Sequence, residues 1–176
     1  MLTRRQFLKV GLASGAVLAG AGWFALRQGR APVAGYQWLD RRAAAIVTAL
    51  VPVVLEDALP ADGAQRKEAV QEAVQAFDRA VSGLSPAVQQ EIAQLFALLG
   101  LAAGRFIVAG VRSAWHEATP DEVHAFLRRW RTSRFGLLRA ACQALTQLVL
   151  AAWYGNPASW ERIGYPGPPA LDGRRG

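Results

Sequence analysis

The chain has 176 residues, 52% of them hydrophobic, with 20 Lys and Arg against 13 Asp and Glu, a formal net charge of +7 and a single Cys. That length fits one domain, the hydrophobic content excludes a disordered tail, and one Cys excludes both an internal disulfide framework and a Cys-based structural zinc site. The basic excess invites a nucleic-acid reading, but Arg4, Arg5, Lys9, Arg27 and Arg30 all fall in residues 1–30, which hold no acid. The remainder is close to neutral, so no nucleic-acid partner is expected.

Thr3-Arg4-Arg5-Gln6-Phe7-Leu8-Lys9 resembles the twin-arginine (Tat) export consensus of Ser/Thr, two Arg, any residue, Phe, Leu, Lys. Arg4, Arg5, Phe7, Leu8 and Lys9 are therefore the expected export signal, read by the Tat translocase. Val10–Leu26 follows as a moderately apolar, Gly- and Ala-rich run. Ala19-Gly20-Ala21 has the small-x-small form of a cleavage site, but cutting there leaves Gly22-Trp23-Phe24-Ala25-Leu26 on the mature end. Later cuts, after Ala31 or Ala34, meet Pro32. Residues 1–30 are thus a signal or a signal anchor, and the second reading is preferred. Uncleaved, residues 10–26 give roughly 25 Å of helix, just short of a bilayer core of about 30 Å, with Arg4, Arg5 and Lys9 held inside.

Residues 31–37 read as a linker and residues 38–155 as a small helical bundle. Leu39, Ala43, Ile46, Val47, Leu50 and Val54 mark one face of a helix from about Trp38 to Leu59, with Pro52 predicting a kink or break near Leu50–Val51. A second helix, about Ala64 to Val81, carries Val70, Val74, Phe77 and Val81 on its stripe, with Asp78 on another face. Ser85-Pro86 opens a third, with the stripe Val88, Ile92, Leu95, Phe96 and Leu99. Leu101–Trp115, broken by Gly104 and Gly110, reads as a short helix or an irregular connector. Thr119-Pro120-Asp121-Glu122 is a strong helix start, and a last long helix runs from about Phe135 to Trp153. Gly155 there suits a left-handed cap. The fold class is all-α: a small bundle behind an N-terminal signal or anchor helix, followed by an extended Pro- and aromatic-rich tail over residues 156–176.

Catalytic signals are weak. Cys142 sits among small apolar residues and reads as core. His116 and His124 flank a helix start without metal-ligand spacing and read as surface residues. No nucleotide-binding, nucleophile-elbow or paired-carboxylate motif occurs, so no catalytic, cofactor-binding or metal residues are expected. Arg128, Arg129, Arg131, Arg134 and Arg139 crowd one stretch. They are either a solvated face or a docking surface for an acidic patch, with Arg128, Arg131 and Arg134 the candidates.

The tail is the sharpest feature after the signal: Trp153-Tyr154-Gly155-Asn156-Pro157-Ala158-Ser159-Trp160-Glu161-Arg162-Ile163-Gly164-Tyr165-Pro166-Gly167-Pro168-Pro169. Its prolines preclude one continuous helix. By residue chemistry alone it either packs on its own bundle or forms an arm on another protein, where Trp and Tyr are typical anchors.

With the Tat-like signal, this ending resembles the small-subunit family of periplasmic flavin dehydrogenases named for gluconate 2-dehydrogenase subunit 3. The matching residues are Tyr154, Gly155, Asn156, Pro157, Trp160, Ile163, Gly164, Tyr165, Pro166, Gly167 and Pro168. The helical middle agrees only in kind. The resemblance implies a non-catalytic subunit without its own cofactor. Its large partner would be an FAD-dependent dehydrogenase of the glucose–methanol–choline (GMC) type, acting on an alcohol, sugar or sugar acid. It also implies a cytochrome c or quinone as electron acceptor, and a location at the periplasmic side of the inner membrane. Trp153, Tyr154, Asn156, Pro157, Trp160, Ile163, Tyr165 and Pro166 are then the expected partner contacts. The alternatives are a free-standing anchored structural protein and, behind it, an independent metal-dependent enzyme using His116, His124 or Cys142.

Overall fold

The computed structural model describes residues 31–160, which are mostly helical and contain no strand among the described residues. Six α-helices follow in order: α1 Arg41–Val54, α2 Gly63–Ser82, α3 Pro86–Gly100, α4 Pro120–Arg131, α5 Gly136–Tyr154 and α6 Pro157–Trp160. A π-helical segment, Gly104–Ala109, lies between α3 and α4. The all-α bundle expected from the hydrophobic spacing is what forms. Residues 1–30 and 161–176, where the signal helix and most of the tail are expected, lie outside the described residues.

Helix α1 starts where Asp40 accepts a hydrogen bond from the Ala43 amide at 2.8 Å. It buries Ala43, Ile46, Val47, Leu50, Val51 and Val53. Pro52 does not kink a longer helix; the helix ends two residues later. Leu55 to Leu59 then form a turn in which the Ala58 and Leu59 amides both donate to the Leu55 carbonyl. Pro52 removes only the bond to Thr48, which is exposed and open to water, so the last turn survives.

Helix α2 is capped by Asp62, which accepts from the Ala64 and Gln65 amides at 2.9 Å. Its buried face carries Ala69, Ala73, Val74, Ala76, Phe77 and Val81, while Val70 of the expected stripe is only half-buried. The alanines let α5 and α1 approach closely. One expectation is overturned here: Asp78 is 2% exposed, on the core side. It is buried because its carboxyl accepts three backbone amides of the incoming chain: Gln37 at 2.6 Å, Trp38 at 2.9 Å and Leu39 at 2.8 Å. Full hydrogen bonding is the condition under which a buried carboxylate is tolerated.

Helix α3 has Pro86 at its first position, but the Ser85 side chain makes no cap bond; the Gln89 amide instead donates to the Ser82 and Leu84 carbonyls. Val88 of the expected stripe is exposed. The π-helical segment ends at Gly110, whose φ of 70° is left-handed, and a Cβ on Gly104 would strike the Leu98 carbonyl oxygen. Two indoles pin this region: Trp115 Nε1 donates to Leu99 O at 2.7 Å and Trp130 Nε1 to Val108 O at 2.9 Å. Trp115, Phe126 and Trp130 pack edge to face, with centroids 5.7 and 4.7 Å apart. Helix α4 opens with the expected capping box between Thr119 and Glu122. Helix α5 buries Cys142, Leu145, Val149, Ala152 and Trp153 against α2, α4 and α1.

Candidate functional site

The C-terminal end of α5 is built differently from the extended arm that its prolines suggest. Gly155 is not left-handed: its φ is −78°, and the missing Cβ matters because one would lie 2.7 Å from the Ala151 carbonyl oxygen. Pro157, whose fixed φ favours a first helical position, starts the one-turn helix α6. Residues 157–160 are therefore helical. The turn closes back onto α5, because the last carbonyls of a helix lack intrahelical partners. The Ser159 hydroxyl, fully buried, lies 2.6 Å from Trp153 O and 2.7 Å from Asn156 O, and donates to one at a time. The Trp160 indole donates to Tyr154 O at 2.8 Å.

This closure divides the expected contact residues. Trp153 is fully buried in the chain's own core, so its ring does not reach the surface. It faces inward because it continues the spacing of Leu145, Val149 and Ala152 on α5. Its Nε1 has no hydrogen-bond partner among the described residues. Tyr154, 46% exposed, points outward, and Trp160 is half-buried beside it. Asn156 is half-buried, and Pro157 opens the turn. Ser159, not singled out in the sequence, joins the two helices together with the Trp160 indole. Ile163, Tyr165 and Pro166, and the signal residues Arg4, Arg5, Phe7, Leu8 and Lys9, lie outside the described residues.

The basic cluster is also divided. Arg128 and Arg131, one turn apart on α4, and Arg139 on α5 line a groove of about 1190 Å³ between the end of α1, α4 and α5. Val53, Val54, Leu127 and Cys142 give it an apolar side; Asp121, His124, Gln143, Thr146 and Gln147 complete it. Arg134 stands outside, 4.9 Å from the centre of the Phe135 ring. Arg129 turns the other way, over Gly110 and toward the Ala109 carbonyl at 3.5 Å. Among the described residues Arg128 and Arg131 have no ion-pair partner, and Arg139 donates to the Ser133 carbonyl at 2.6 Å. Cations at the end of α4 also complement its dipole.

The other candidates do not converge on chemistry. His116 lies 3.5 Å from its neighbour Glu117, and His124 lies 3.3 Å from Glu56, so the two histidines have separate partners. No three of His, Cys, Asp and Glu gather to hold a metal among the described residues. Burial pushes the Cys142 thiol upward, against smaller opposing effects of Thr146 and Arg131, and its Sγ lies 3.5 Å from the Leu127 carbonyl. A thiol held neutral is a poor nucleophile. No described helix is long and apolar enough to cross a membrane.

No family model, no curated protein and no solved structure matches this chain.

Proposed function

We propose that the chain is a non-catalytic small subunit that carries a large FAD-dependent, GMC-type dehydrogenase through the Tat route and stabilises it at the periplasmic side of the inner membrane. The observation that carries this reading is the aromatic end of α5. Tyr154 is exposed there, and the turn closed by Ser159 brings Trp160 beside it, its indole bonded to the Tyr154 carbonyl, within the stretch that carries the resemblance. An indole tethered as Trp160 is loses little freedom on association, and an exposed tyrosine beside it adds apolar contact area, which suits the pair to a protein interface. FAD would belong to the large subunit, and electrons would leave to a cytochrome c or quinone.

The test is export of the pair. A GMC-type flavoprotein from the same organism, co-expressed with this chain, is expected to co-purify with it and to reach the periplasm. Arg4→Lys with Arg5→Lys is expected to strand both proteins in the cytoplasm. Unchanged export of the flavoprotein by the double variant removes the carrier role.

A second reading, a free-standing anchored structural protein, draws support from Trp153 and Ser159, which fold the start of the tail onto the chain's own bundle. Deleting residues 156–176 separates the two. Loss of the complex with the bundle still folded supports the subunit; unfolding of the bundle supports the structural protein.

A further inference from the structure

We infer that the groove between α1, α4 and α5 is a docking site for an acidic segment of a partner protein. Three arginines, Arg128, Arg131 and Arg139, face a space that offers one carboxyl, Asp121, in return. All three are exposed, and neither Arg128 nor Arg131 is neutralised by an acid among the described residues. Guanidinium forks match carboxylates in pairs of parallel hydrogen bonds, so the chemistry the groove lacks is carboxylate.

Size and shape choose among anions. At about 1190 Å³ the groove exceeds the roughly 300–1,000 Å³ of a small-molecule pocket, and a length of polypeptide fills it better than a single metabolite. It is concave, with Val53, Val54 and Leu127 along it, which a flat lipid headgroup layer does not follow but a chain with alternating acidic and apolar side chains does. Gln143, Thr146 and Gln147 add polar groups along α5 that can pair with the backbone of such a segment. The inference deepens the small-subunit reading and rests on it for the occupant being another protein. The groove lies on helices α1, α4 and the body of α5, so it is a contact separate from Tyr154 and Trp160.

The test uses the full chain in detergent and a fluorescein-labelled peptide of alternating Glu and Leu, followed by fluorescence anisotropy. Wild type is expected to bind, with affinity falling as salt rises. Arg128→Glu with Arg131→Glu is expected to weaken binding about tenfold or more. Lys67→Glu, outside the groove, is expected to leave it unchanged. Arg128→Gln with Arg131→Gln removes the charge without reversing it and is expected to weaken binding by a smaller factor; circular dichroism verifies that both variants fold. Equal binding by folded groove variants, or an equal loss in Lys67→Glu, overturns the site. Failure of the peptide to bind while phosphatidylglycerol vesicles bind through Arg128 and Arg131 overturns the protein occupant in favour of a lipid one. Co-purification of the flavoprotein with wild type, scored in parallel, keeps the two ideas apart. A retained flavoprotein with no peptide binding sinks the groove alone; peptide binding with no flavoprotein sinks the subunit reading alone.

Discussion

Asp78 Oδ1 accepts the backbone amide of Leu39 at 2.8 Å, across 39 positions of sequence. The same carboxyl takes the amides of Gln37 and Trp38, so one side chain of α2 fixes the strand of chain that enters the bundle. Leu39 itself is fully buried, and Asp40, next in line, caps α1. The clasp therefore fixes where residues 37–39 join the body at the start of α1. Asp78→Ala leaves three amides without their acceptor, part-buried or buried, and is expected to cost roughly 3 kcal/mol or more. Asp78→Asn keeps one acceptor oxygen and should cost less. Urea unfolding measures both, and an unchanged midpoint for Asp78→Ala would show that the clasp contributes nothing.

The aromatic end makes a prediction that separates folding from binding. Trp153→Ala opens a cavity in the core and is expected to lose about 3–5 kcal/mol of stability. Trp153→Phe fills most of that space and also removes the Nε1–H that finds no acceptor among the described residues, so its loss should be much smaller. Tyr154→Ala, at an exposed position, should change stability by no more than about 0.5 kcal/mol yet weaken the proposed complex with a flavoprotein. Thermal melts together with co-purification give both readouts. A Tyr154→Ala variant that melts normally and binds normally would remove this residue from the proposed interface.

Much of the fold was legible because helix signals are local. Thr119-Pro120-Asp121-Glu122 and Ser85-Pro86 mark helix starts by their own chemistry, and the stripe of α1 follows from spacing. Asp78 was not legible: an acid within an amphipathic helix reads as solvent-facing, and its partners lie about 40 positions earlier, on the far side of α1 in the sequence. The groove was legible only as a run of arginines. Which of them share a face with Cys142 and Val53 depends on how three helices pack. At Gly155 the sequence suggests the commoner use of a C-terminal glycine, a left-handed cap; the structure uses another, close approach to a carbonyl. The tail's first turn was hidden because prolines argue against a long helix but allow a new one to start at Pro157.

Gly104 and Gly110 give the π-helical segment its shape for different reasons. At Gly104 any side chain meets the backbone carbonyl of Leu98, which cannot move without dragging the end of α3. At Gly110 the φ of 70° penalises an L side chain, and the nearest obstacle is the movable end of Arg129. Gly104→Ala is therefore expected to cost up to about 3 kcal/mol, and Gly110→Ala about 1–2 kcal/mol. The larger loss at Gly104 is the diagnostic result, read from denaturation midpoints. The reverse order would mean that backbone conformation, and not the Leu98 contact, limits this segment.

The capping box of α4 predicts an acid limb in the stability profile. Glu122 accepts the Thr119 amide at 3.2 Å and the amides of Arg112 and Ser113 at 3.2 and 3.3 Å, so it ties the connector to the helix start. The Thr119 bond, joined by smaller contributions from Ser113 and Arg112 and opposed by desolvation, holds its carboxyl below its ordinary value of 4.5. A carboxyl lowered by folding stabilises the fold while ionised. The contribution is present above 4.5 and fades as pH falls through the lower value that the folded protein imposes. Glu122→Gln still closes a capping box but cannot ionise, so its deficit against wild type should be visible at neutral pH and shrink in the acid range. Thr119→Ala, which removes the other half of the box, should cost about 1 kcal/mol at any pH. Melting temperatures of the three proteins from neutral pH down to about pH 3 test this directly. A Glu122→Gln deficit that does not change with pH would assign the lost stability to packing instead of charge.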